Sequence, residues 1–112
     1  MGTPSDERMA QHTVMATYRL KPGSEFAFRD ILARHEATLR GLDLITEHPV
    51  QVFRREEDDG QVTLIEVFTW RPGAVGVAHE HPEVAMTWET MGEHVAPRGE
   101  RPAMEFPHFS RL

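Results

Sequence analysis

Seven histidines and no cysteine in 112 residues leave imidazole and carboxylate as the groups able to do acid–base or metal chemistry. Disulfides, thiolate catalysis and cysteine-bound zinc are excluded. His35 and His81 each fall where helical spacing calls for an apolar side chain, so both are expected to point at a sheet. Leaving a buried polar group unpaired costs about 1–3 kcal/mol, so each imidazole needs a partner. Glu66, in the middle of the strand-like run QVTLIEVFTW, is the obvious one. A structural His–Glu pair satisfies this equally well as a catalytic one, in which the carboxylate fixes the imidazole tautomer and raises its basicity. Glu66, His81 and His35 are therefore the candidate catalytic groups.

The run His79-Glu80-His81 raises a metal reading. Residues two apart on a regular helix lie about 200° apart and cannot share one ion, whereas in an extended segment they share a face. Pro82 is placed to break a helix there, which keeps a divalent metal open, bound by histidine and carboxylate. His79, His81 and His108 are the candidate ligands, with His35 or Glu66 able to complete the set; zinc, nickel, manganese or iron would suit it. Trp70, Trp88 and Phe106 are the candidate substrate contacts, although Trp88, with Met91, suits a core more simply. Met104, Phe106 and His108 share one face of a regular strand and Glu105 the other, unless Pro107 introduces a bulge.

These residues need elements to position them. TVMATYRL, ending at Lys-Pro-Gly, reads as a first strand. Ser24 suits an N-cap, and Phe28, Ile31, Leu32, His35, Leu39 and Leu42 follow at helical spacing, with Gly41 near the end. VQVFRRE, EEDDG and QVTLIEVFTW make a hairpin whose second strand is central and whose charged tip is solvated. Val77, His81, Val84, Trp88, Met91 and Val95 then form one helical stripe, with a restart expected at Pro82. AMEFPHFSRL closes as a strand that Pro107 confines to an edge or a bulge. Residues 1–12 read as a flexible leader and 13–112 as one domain.

The order βαββαβ predicts an α+β domain with both helices on one face of a four-stranded antiparallel sheet. The strands show little polar alternation, so the other face needs cover, and a second copy of the chain is the simplest source. With 12 basic and 18 acidic residues, and the basic ones scattered, no nucleic-acid partner is expected. No apolar run suggests a membrane span and no secretory signal is legible, which points to the cytoplasm. Nucleotide-binding glycine loops, serine elbows and HExxH are absent from the sequence.

The region LIEVFTWRPGAVGVAHEHPEV, a strand bearing a glutamate followed by a helix with a histidine near its start, resembles antibiotic-biosynthesis-monooxygenase-like proteins. At residue level Glu66 and one of His79 and His81 carry the likeness; element order extends it over residues 13–112. It implies a ferredoxin-like domain that dimerises into an α+β barrel, in a superfamily that spans cofactor-free oxygenases, haem-degrading enzymes and proteins without known activity. The asparagine, tryptophan and arginine set of the cofactor-free oxygenases has no clear counterpart, although Trp70, Trp88 and Arg19 are present. Two functions follow. One is a small-molecule enzyme, a cofactor-free or metal-assisted monooxygenase acting on an aromatic or polyketide-like substrate. The other is a non-catalytic ligand-binding or dimerisation domain with a structural His–Glu network.

Overall fold

A computed structural model describes residues 12–112. The leader expected over residues 1–12 lies outside the described residues except for His12, which is the first residue of a strand. That strand, β1 (His12–Arg19), leads to helix α1 (Glu25–Gly41), and the hairpin β2 (Gln51–Glu56) and β3 (Val62–Trp70) follows. Helices α2 (Ala74–Glu80) and α3 (Pro82–Gly92) precede two short strands, β4 (Met104–Glu105) and β5 (His108–Phe109). The sheet order is β2-β3-β1-β4, with β5 also on β1, and all pairs are antiparallel. This is the expected ferredoxin-like α+β arrangement. No described helix is long and apolar enough to cross a membrane.

The last strand takes the edge, one of the two places expected for a strand holding Pro107, and is split into β4 and β5. Thr17 pairs Glu105, Tyr18 pairs Met104, Thr13 pairs Phe109 and Val14 pairs His108, so β4 and β5 keep one register along β1. Pro107 introduces no bulge. Having no N–H, it cannot donate to β1, but its carbonyl still accepts from the Met15 N–H at 3.2 Å. One strand is thus interrupted for want of a donor, without being shifted, and Met104, Phe106 and His108 stay on one face.

The core lies between the sheet and the helices. Val14, Ala16, Tyr18, Leu64, Phe68 and Trp70 are buried on the helix side of β1 and β3, and Phe28, Ile31, Leu32, His35 and Leu39 form the buried stripe of α1. Each buried Phe or Leu contributes about 1.5–3 kcal/mol relative to exposure, which offsets part of the cost of ordering a 17-residue helix. Ser24 takes the N-cap position, but its side chain makes no capping bond.

The second helical region breaks at His81, whose φ of −88° and ψ of 122° are extended. A proline inside a continuous helix costs about 3 kcal/mol, and at the first position of a new helix it costs almost nothing. The chain takes the second course. The break changes the phase of the stripe: Ala74 and Ala78 face inward on α2 and Val77, expected to be buried, is 54% exposed. Val84 and Met91 keep their expected places on α3.

Candidate functional site

β3 brings Glu66 to the helix side of the sheet, and α1 brings His35 down onto it; each side chain is only 1% exposed. His35 Nδ1 lies 3.1 Å from both carboxylate oxygens of Glu66. The Tyr18 hydroxyl donates to Glu66 Oε1 at 2.7 Å, and the Trp88 indole N–H donates to His35 Nε2 at 3.0 Å. An indole N–H can only donate, so Nε2 accepts, and the ring proton sits on Nδ1, from where it is donated to Glu66. Four side chains from β1, β3, α1 and α3 thereby form one row. Glu66 receives donors alone, the pattern that suits a carboxylate. Burial, then the Glu66 charge and the hydrogen bond to it, push the Tyr18 hydroxyl well above its ordinary range, which keeps it a donor.

A cavity of about 160 Å³ opens beside this row. Val14, Phe68 and Trp70 line it from the sheet, and Met104, Phe106 and His108 from the last strand. Val75, His79, Trp88 and Met91 close the helix side, with His35 also bordering it. The lining is predominantly apolar, with imidazoles as its chief polar groups. His79 packs edge-on to Trp88 with ring centroids 5.0 Å apart, and His35 packs edge-on to Phe68 at 5.7 Å. His108 faces His12 with ring centroids 6.1 Å apart. Burial, then the His12 charge, lower the His108 pKa from its ordinary 6.5.

The candidates distribute unevenly. His35 and Glu66 meet as expected, and Trp70, Trp88 and Phe106 all border the cavity. His81 does not point at the sheet: its Nδ1 accepts the Glu83 N–H at 3.2 Å and caps α3. The extended backbone at His81 serves helix initiation, and it is not among the residues lining the cavity. His79 and His108 do line it, but no group of three or more His, Asp or Glu side chains among the described residues is placed to hold a metal. The expected His79, His81 and His108 set is thus not assembled. Glu105 lies on the other face, where it pairs with Arg19 at 2.8 Å. Tyr18, the single tyrosine, was not a sequence candidate. Only the β1–β3 register, which sets Tyr18 beside Leu64 and diagonal to Glu66, identifies it.

No protein-family model matches the sequence, and no curated protein matches it significantly. Solved structures do match in fold. Rv0793 from Mycobacterium tuberculosis is 19% identical, with 92% of this chain and 96% of that one covered and a TM-score of 0.65. SnoaB, a cofactor-independent oxygenase from Streptomyces nogalater solved as an asparagine-to-alanine mutant, is 16% identical, with 90% and 92% covered and a TM-score of 0.65. A provisionally named antibiotic biosynthesis monooxygenase from Chloroflexus aurantiacus is 13% identical, with 92% and 94% covered and a TM-score of 0.63. The likeness to antibiotic-biosynthesis-monooxygenase-like proteins therefore holds for the whole architecture: this chain has their ferredoxin-like α+β fold.

Proposed function

We propose that the protein is a small-molecule enzyme of monooxygenase-like type that takes an apolar aromatic or polyketide-like substrate into the cavity beside His35. The observation that carries this reading is a buried imidazole at an apolar cavity, backed by a buried carboxylate 3.1 Å away. Such a pair can accept a proton from a phenolic or activated C–H group, the step that makes an aromatic ring electron-rich enough to react with oxygen. His35 is the base, Glu66 orients it, and Trp70, Trp88 and Phe106 hold the ring. The fold shared with a cofactor-independent oxygenase supports the reaction class.

Both tryptophans of the chain border the cavity, so fused-ring phenols are expected to quench their fluorescence and to be consumed together with oxygen. His35→Ala and Glu66→Gln should still bind but lose turnover by about 10²–10⁴-fold. Folded variants that consume oxygen at the parental rate would remove both residues from the mechanism. One observation favours a second reading, a non-catalytic ligand-binding domain: both ring nitrogens of His35 are already engaged. Fluorescence quenching without turnover of any such phenol would establish it.

The partner we propose is a second copy. On the face away from the helices Met15, Phe53 and Phe109 are 41%, 53% and 48% exposed, with Ile65 and Val67 between them in the register. Such a contiguous apolar face is the kind a twofold dimer covers. Met15→Glu should convert a dimer to a monomer in sedimentation equilibrium; an unchanged mass would place the contact elsewhere.

A further inference from the structure

Glu66 lies between two spaces. On one side it holds His35, which borders the apolar cavity; on the other it lines a groove of about 440 Å³ between α1 and β2, with Arg29, Glu36, Val52 and Arg54. The reason is topological. β2 is the edge strand, and all six of its residues are exposed, so no helix covers it. Val52 is paired with Glu66 in the register and is 47% exposed, which makes Glu66 the last helix-side residue before the uncovered edge. The buried pair is therefore the partition between an apolar cavity and a more open groove.

We propose that His35 and Glu66 form a proton relay from the cavity to this groove, gated by the Trp88 indole. The inference rests on the acid–base role given to His35 above. With the indole N–H withdrawn, His35 Nε2 takes a proton from the substrate, and the electron pair of the broken bond stays on the substrate. Nδ1 passes its own proton to a Glu66 oxygen, so the imidazole stays neutral while the carboxylate becomes a carboxylic acid. Glu66 then releases that proton to water in the groove. One proton has crossed the partition, no net charge is left on the relay, and the Tyr18 hydroxyl holds Glu66 in place throughout. A proton needed later by the product returns by the reverse transfers. In an apolar cavity this route removes the proton that would otherwise remain beside the new anion and recombine with it.

The test needs no turnover, so it can fail while the proposed function stands, and the reverse. Exchange of the His35 Nδ1 proton with solvent is measured by NMR on ¹⁵N-histidine-labelled protein with phenol present as the proton donor to Nε2, since Nδ1 can give up its proton without leaving an imidazolate only when Nε2 gains one. Glu66→Gln, which preserves shape but cannot accept and release a proton, should slow exchange by about tenfold or more. Val52→Trp, which covers the groove side of Glu66 without touching the row, should slow it comparably, whereas Val52→Thr should leave it unchanged. Trp88→Phe removes the gate and should expose Nε2, so that carbethoxylation of His35 by diethyl pyrocarbonate becomes about tenfold faster than in the parent protein. Parental exchange in a folded Val52→Trp protein would overturn the relay, whatever the folding of Glu66→Gln. Equal carbethoxylation of parent and Trp88→Phe would overturn the gate.

Discussion

The two helical regions above the sheet each carry a histidine that residue spacing directs inward, and only α1 delivers it. Across its 17 residues the backbone bonds are continuous, so the phase set by Phe28 still holds at His35. In the second region Pro82 interrupts those bonds, and the residues on either side belong to separate helices with separate phases. His81 becomes a cap, and Ala74 and Ala78 take the inward positions instead. Periodicity predicts a facing direction only as far as the hydrogen-bond ladder runs unbroken.

Unfolding measurements should sharpen this contrast. His35→Ala leaves Glu66 without one donor in a buried site and should cost about 3–5 kcal/mol, read from the urea midpoint with an unchanged slope. His81→Ala loses a single exposed-end capping bond and should cost about 0.5–2 kcal/mol, and His81→Ser should recover most of it. If the two alanine variants were equally stable, the distinction between a core histidine and a capping one would collapse. The smallest effect belongs to His108, the cavity histidine on the opposite wall. Its folded-state pKa is lowered, so the unfolded chain binds the proton more readily and stability must fall as pH drops through the range just below the ordinary 6.5. His108→Gln should flatten the stability–pH curve in that window; a curve of parental slope would show that another group controls it.

Much of the site is legible in the order of residues alone. His35 can be placed because it replaces an apolar residue in an uninterrupted stripe, and Glu66 because a charge in mid-strand among Leu, Ile, Val and Phe requires a partner. The parity of Met104, Phe106 and His108 follows from strand geometry, since Pro107 leaves the register intact. What escapes depends on relations between elements. Tyr18 joins the row only through the β1–β3 register, and the Trp88 contact with His35 depends on where α3 restarts. The choice between His79 and His81 turns on a single φ, ψ pair at the helix break.

The uninterrupted register of β4 and β5 has a consequence for how the molecule could diversify. Three alternating positions, Met104, Phe106 and His108, supply one wall of the cavity, while the row from Tyr18 to Trp88 is built wholly on other elements. Substitutions at these three positions would change the size and polarity of the space offered to a ligand without removing a hydrogen bond of the row, which only Phe106 touches, edge-on to Tyr18 with ring centroids 5.9 Å apart. Selection could therefore tune what is admitted separately from what is done to it, with a six-residue strip acting as an exchangeable face.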